Sequence, residues 1–250
     1  MIPARMGSEG FKFKNRKFFG YTADFIAGVP WLERRIVSTD DPAIAEAARA
    51  CGAEVPFLRP AELARDDSPE WLAWRHAVDA LETHARPAEL AGPAVSIHRV
   101  FGSVIADMGV PDDAVLWLFY LPILFKNIKH FEYAKECMES GAHESFCTFV
   151  PARTHPYNCW KYDPEAKRLE QYVENDCFRR QDLPPAWVHY HYVYCFRAGA
   201  LASLNSEMIN AATFPLFLSE SVRNKLIEID TPEDYECWKA AGSPMGGDDD

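Results

Sequence analysis

At 250 residues, with 48% hydrophobic and 25% charged residues, the chain has the size and composition of one large globular domain, not of a disordered or fibrous protein. A formal charge of −11 argues against non-specific nucleic-acid binding, and no apolar run, "AVLWLFYLPILF" (114–125) included, reaches the roughly 18 residues of a membrane helix. No charged-then-apolar leader opens the chain and its seven cysteines form no Cys-x-x-Cys pair, so the expectation is a cytoplasmic protein with reduced thiols.

Residues 1–4 read as the end of a strand entering a polar loop over 5–16. In a doubly wound sheet the first strand is central and runs about five residues, so this middle strand is short. Apolar spacing through Phe19, Ala23, Ile26 and Ala27 predicts a helix over 18–29. "RRIVSTDD" (34–41) reads as a buried strand ending in a polar rim. "DPAIAEAARACG" (41–52) reads as a helix with Asp41 as N-cap, Pro42 in the first turn and Gly52 as stop. A short strand at 53–60, a helix near 69–82, an apolar strand at 114–119 and a helix at 127–140 continue the alternation, while 85–112 carries no clear signal.

This order implies a Rossmann-like α/β fold, a mostly parallel sheet with helices on both faces. From 145 to 197 the pattern changes to aromatic-rich strand-like pieces, "FCTFVPA", "YNCWKYD" and "HYHYVYCFR", a β-rich excursion suited to a dimer contact. The last helix starts in "DTPEDYECWKAA", with Thr231 as cap and Pro232 at its first position. The chain therefore reads as a single domain over 1–243 with a disordered acidic tail at 244–250.

In a parallel sheet, ligands bind beyond the carboxyl ends of the strands. Polar rims fall there at 5–15, at 38–41 and at Arg59. In the first, Gly7 and Gly10 permit close backbone approach, and Arg5 and Lys14 add a fork and a point charge suited to phosphate oxygens. The same residues also suit a plain surface loop, and no Gly-Lys-Ser/Thr follows to make a P-loop. The eight histidines reach metal-ligand spacing only in "HYH" (189–191), which reads as aromatic-rich packing rather than a zinc site. No Gly-x-Ser-x-Gly elbow is present.

"IPARMGSEGFKFKN" (2–15) resembles the signature Ile-Pro-Ala-Arg-x-Gly-Ser-x-Gly-(x)3-Lys-Asn of the acylneuraminate cytidylyltransferases, which make CMP-activated sialic and related nonulosonic acids. "VSTDDPAIAEAARACGAEVPFLRPAELARDDSP" (37–69), "FRRQDLPPAW" (178–187) and "EIDTPEDYE" (228–236) match later parts of that family in order. The resemblance implies the Rossmann-like nucleotide-diphosphosugar-transferase fold and transfer of CMP from CTP to a nonulosonic acid, in a homodimer using Mg²⁺. By position, it makes Arg5 and Lys14 the residues that grip the triphosphate. Ala4, Gly7, Ser8, Gly10 and Asn15 fall among its nucleotide-binding positions, with Arg59 near the cytosine and ribose. Arg180 and Gln181 fall near the sugar acid, and Glu228 and Asp230 on the pair that holds Mg²⁺. Two carboxylates at i and i+2 of an extended segment share one face, as a hard-cation site requires, although an acidic helix-leading cap is the other reading of the pair.

The chain departs from that pattern in several places. Leu118 stands where the family has a cytosine-reading glutamine, and Glu9 where lysine is common. A half-dozen residues are missing after "KNRKF", "YH" (190–191) replaces an Asn-Gly turn, and "THPYNCWKYD" (154–163) is rich in aromatics. Leu118, Glu9 and the shortened segment favour a second reading, a non-catalytic homologue that binds sugar or nucleotide or serves as a partner subunit. Arg5, Lys14 and the acidic pair favour the enzyme.

Overall fold

The computed structural model describes residues 1–4, 6, 10–56, 58, 97–205 and 207–246, with backbone only at 97–100, 103 and 180. Strand β1 (Ile2–Ala4) runs parallel to β2 (Val37–Thr39), with Ile2 opposite Val37 and Ala4 opposite Thr39. On its other side Met1 carries the ladder to β3 (Val115–Leu118): its amine donates to Trp117 O at 2.5 Å, and Phe119 N–H donates to Met1 O at 3.0 Å. Strand β3 pairs antiparallel with β7 (Trp187–Arg197), β7 antiparallel with β4 (Ser145–Pro151), and β4 parallel with β8 (Phe214–Phe217). The expected mostly parallel sheet thus has the order β2-β1-β3-β7-β4-β8, with β7 running against its neighbours.

Pleating divides the sheet's side chains between two cores. Trp117, Val193 and Cys195 join Phe19, Ile26, Ile44 and Phe131 on one face. Leu116, Leu118, Tyr194 and Phe196 join Phe101 and Val104 on the other. Helices α1 (Lys14–Ala27), α2 (Pro42–Ala50) and α4 (Ile128–Glu139) cover the first face, and α3 (Ile97–Met108) covers the second. Short helix α5 (Glu220–Arg223) and helix α6 (Pro232–Ala240) complete the set among the described residues. None is long and apolar enough to cross a membrane.

The caps fall where the residues require them. The Asp41 carboxylate accepts from Ala43 N–H and Pro42 opens α2, while Thr231 and Asp234 form a reciprocal capping box on α6. Helix α1, however, starts at Lys14 rather than 18, because its first turn is polar and its N-cap, Phe13, sits at φ 58 without a capping side chain. The excursion also narrows: β4 and β7, at the ends of 145–197, are strands of the main sheet, leaving the hairpin β5 (Trp160–Asp163) and β6 (Arg168–Gln171) between them. Nor does the tail begin at 244, since Lys126 N–H donates to Met245 O at 2.9 Å and Trp238 Nε1 donates to Pro244 O at 3.0 Å. The helix expected near 69–82 lies outside the described residues. All seven cysteines are free thiols.

Strand β1 is short, as expected. Beneath its amino end opens a cavity of about 390 Å³ lined by Met1, Trp31, Arg34, Ile36, Val115 and Trp117.

Candidate active site

At the carboxyl ends of β1 and β2, two aspartates hold Met6 of the β1–α1 loop and the first turn of α1. Met6 N–H donates to Asp40 Oδ1 at 2.7 Å. Arg16 forks onto Asp41, with Nε to Oδ2 at 2.6 Å and Nη2 to Oδ1 at 2.9 Å. Asp41, whose side chain is 0% exposed, also caps α2 and so joins α1 to α2. Burial pushes its carboxyl up, but the hydrogen bonds from Arg16 and Ala43 N–H outweigh that and hold it below its ordinary value.

The same loop meets the segment 228–231. A Cβ on Gly10 would lie 2.7 Å from the Asp230 carbonyl oxygen, so only glycine admits this approach. Lys14 Nζ pairs with the Asp230 carboxylate. Phe11, on the loop, packs against Phe18 of α1 and Tyr235 of α6, with ring centroids 5.7 and 6.0 Å away, and Lys17 Nζ lies 3.7 Å above the Tyr235 ring. This aromatic cluster fixes the loop against both helices.

Glu228 bridges Ile123, and Asp230 follows the buried Ile229. Burial and the neighbouring Asp230 charge push the Glu228 carboxyl above its ordinary range, with Lys14 opposing. Asp230 is not the helix cap. That role belongs to Thr231, with Asp234 closing the capping box: Asp234 Oδ2 accepts from Thr231 N–H at 2.8 Å and Asp230 N–H at 3.1 Å. Hydrogen bonds from Thr231 hold the Asp234 carboxyl down against the effect of burial. On β7, the Tyr190 hydroxyl donates to Leu226 O at 3.1 Å, and burial together with Glu228 and Asp230 pushes its pKa up.

The structure therefore brings Gly10, Lys14 and Asp230 together, with Glu228 close enough to feel both charges. Ala4 is fully buried at the end of β1 and Asn15 is buried in the first turn of α1. Arg5, Gly7, Ser8, Glu9 and Arg59 lie outside the described residues. Gln181 is exposed in a 3-10 turn over Arg180–Asp182, braced by Arg179 on Asp182 at 2.8 and 2.9 Å. Leu118 is 2% exposed within the second core, so no polar side chain stands at that position.

Sequence reasoning missed Arg16 and the second role of Asp41. Their signal was a lone arginine inside a basic run and an aspartate already explained as a cap. It also missed Tyr190, which is read as packing until β7 is seen to pass Leu226.

Glu228, whose carboxyl is raised by burial and then by the Asp230 charge, and Asp230, paired with Lys14, offer carboxylate oxygens of the kind a hard divalent cation takes. Oxygen donors of this kind are those Mg²⁺ takes.

No family model matches the chain. Among solved structures it is similar to CMP:2-keto-3-deoxy-manno-octonic acid synthetase complexed with CTP, with a TM-score of 0.54 and 14% identity over 97% of this chain and 96% of that one. It is also similar to 4-diphosphocytidyl-2C-methyl-D-erythritol synthase from Anaerococcus prevotii, with a TM-score of 0.48 and 12% identity over 97% and 98%. The first likeness shows the fold: the chain has the α/β architecture of that synthetase, matched over nearly the whole length of both.

Proposed function

We propose that the chain is a cytidylyltransferase that transfers CMP from CTP to a nonulosonic, sialic-type acid and releases pyrophosphate. The observation that carries this reading is the convergence of the Gly10 loop, Lys14, Glu228 and Asp230 on one rim of the sheet. The likeness to a synthetase complexed with CTP supports it.

On this reading Arg5 and Lys14 balance the triphosphate's charge, and Ala4, Gly7, Ser8, Gly10 and Asn15 form the loop around it. Arg59 contacts the cytosine and ribose, while Arg180 and Gln181 contact the sugar acid. Glu228 and Asp230 would hold Mg²⁺, which when bound would neutralise phosphate charge and favour deprotonation of the attacking hydroxyl. The sugar's anomeric oxygen attacks the α-phosphorus. A new P–O bond forms as the bond to the bridging oxygen breaks, the hydroxyl's proton passes to solvent, and pyrophosphate leaves with the electron pair. The protein's share of this chemistry is positioning and charge balance. Asp230 and the triphosphate compete for Lys14, which couples filling of the acidic pair to the grip on the phosphates.

The excursion's exposed Trp160, Tyr162, Tyr172 and Phe178 favour a homodimer, since aromatic side chains left exposed are enriched at interaction surfaces. One observation favours the non-catalytic homologue instead, the burial of Leu118 where a base-reading side chain is expected. Calorimetric titration of CTP with and without Mg²⁺ tests the nucleotide site. Wild type binds in the presence of Mg²⁺, and Lys14→Ala weakens binding by about 10-fold or more, the scale of a lost charge-assisted contact. Equal affinity in wild type and Lys14→Ala rejects the assigned grip.

A further inference from the structure

Strand β7 carries a second cluster of ligand-type side chains, on the face opposite Tyr190. His189 and His191 are two residues apart and so project to the same side of the strand. Their rings stand 5.2 Å apart at 66°. Both aim Nε2 at one residue of another segment: His189 Nε2 lies 3.2 Å from Glu207 Oε2, and His191 Nε2 lies 3.4 Å from the Glu207 backbone oxygen. One ligand atom from each of His189, His191 and Glu207 falls within 4.8 Å of the other two.

From this geometry we infer a binding site for a divalent transition-metal ion of the zinc class, held by His189, His191 and Glu207 and separate from the Glu228/Asp230 pair. Two imidazoles and a carboxylate suit Zn²⁺, Co²⁺ or Ni²⁺ and not Mg²⁺, which takes oxygen donors. With metal–ligand bonds of about 2.0–2.1 Å, ligand atoms on a tetrahedron stand about 3.4 Å apart. The His189–Glu207 pair already stands close to that spacing. Glu207, an exposed side chain, has the freedom to close the remaining gap, and three protein ligands leave the fourth position open.

Both sides of the cluster are anchored, so metal binding orders little that is loose. Glu207 N–H and Ile209 N–H both donate to Asn205 Oδ1, at 2.9 and 3.1 Å, and Met208 N–H donates to Asn205 O at 2.8 Å. The Tyr194 hydroxyl of β7 donates to Met208 O, tying this loop to the strand that bears the histidines. The Tyr194 and Tyr120 rings flank His191, with centroids 5.9 and 6.2 Å away. A bound ion would staple the start of β7 to the 205–209 loop.

Free thiols at Cys51 and Cys237 are exposed and compete for zinc, so the test uses Co²⁺ as reporter and variants as controls. Protein freed of metal and titrated with Co²⁺ should take up one equivalent with tetrahedral d–d absorption and no sulfur-to-cobalt charge-transfer band. Equilibrium dialysis with Zn²⁺ should show an affinity loss in His189→Gln, His191→Ala and Glu207→Gln beyond the 10–100-fold that losing even an outer-shell partner causes. The surface variants His189→Gln and Glu207→Gln keep the test decisive if His191→Ala fails to fold. Asp230→Asn should bind Zn²⁺ as wild type does, and a rise in melting temperature with Zn²⁺ should disappear in Glu207→Gln. Unchanged Zn²⁺ affinity in His189→Gln and Glu207→Gln overturns the assignment, as does a thiolate band abolished by Cys51→Ser or Cys237→Ser. None of these readouts depends on turnover, so the site stands or falls apart from the proposed reaction.

Discussion

Strands β3 and β7 bury an unbroken run of large side chains, Tyr192 through Phe196 on β7 alone, against helices on both sides. In the excursion every residue of β5 and β6 but Gln171 is exposed, and Phe178 beyond them is 98% exposed. The excursion holds its shape with polar bonds instead. Asp163 Oδ1 accepts from Glu165 and Ala166 N–H, both at 2.9 Å, Asn175 Nδ2 donates to Tyr157 O at 3.0 Å, and His155 Nε2 lies 2.9 Å from Pro184 O. One region is stabilised by buried apolar area and the other by local turns, so the excursion's aromatics are left for something outside the chain's own core.

The sharpest way to break that comparison is a matched pair. Phe196→Ala, at a site 0% exposed, should cost about 3–5 kcal/mol in chemical denaturation. Phe178→Ala should fall within about 0.5 kcal/mol of wild type at a protein concentration where the chain is monomeric. Similar losses at both sites would show that the excursion is packed within the monomer.

On the rim of the body, Asp230→Asn should lower Mg²⁺-dependent turnover by about 10²–10³-fold, the scale of a lost transition-state charge partner, with an unchanged circular dichroism spectrum. Arg5→Ala should act similarly. An Asp230→Asn protein that unfolds, with the metal response intact in what remains folded, would make the carboxylate structural.

At the amino end of β1 lies the cavity beside Met1. Inserting Lys-Ile-Val-Ala between Met1 and Ile2 would continue the ladder into the cavity bounded by Trp31, Ile36, Val115 and Trp117. Burial of two apolar side chains less their ordering should add about 1–2 kcal/mol and raise the melting temperature. An unchanged melting temperature would mean that the cavity does not accept a strand.

Asp41 is one source of the body's stability loss in acid. Its native carboxyl titrates below the ordinary 3.8, so its pairing stabilises the fold in full above pH 3.8 and is lost as pH falls through the lower native value. Asp41→Ala should therefore cost about 1 kcal/mol at neutral pH from the lost cap alone, with the Arg16 contact adding to it. The difference from wild type should shrink below pH 3.8, and a constant difference down to pH 2 would remove the charge from the explanation. The smallest effect concerns the base: with Leu118 in the core, CTP should be separated from UTP less sharply than where a glutamine reads cytosine. Side-by-side affinities check this, and strict CTP selectivity would show that another group reads the base.

How much of this was legible in the sequence depended on how local the cause was. Asp41-Pro42 and Thr231-Pro232 announced α2 and α6 because an N-cap and a proline act within one turn. The start of α1 did not show, since Lys14–Lys17 face solvent or polar partners and carry no apolar period. The strand β7 was visible, but its place between β3 and β4 was not, because pairing across 79 residues from Trp117 to Cys195 leaves no periodic trace. The Lys14–Asp230 pair spans 216 positions and Glu207 comes from a loop outside the His-Tyr-His run, so no spacing rule reaches either. Residue types on the rim were readable, and their mutual engagement needed the fold.

The central claim is nucleotidyl transfer at the rim where Lys14, Glu228 and Asp230 meet. It is tested most directly by pyrophosphate release from CTP and Mg²⁺ across a panel of nonulosonic acids, run beside Asp230→Asn. Release should require both Mg²⁺ and one of the acids, be matched by equal formation of the CMP-sugar, and fall about 10²-fold or more in the variant. Binding of CTP without pyrophosphate release for any acid in the panel would contradict it and leave a binding protein on a transferase fold.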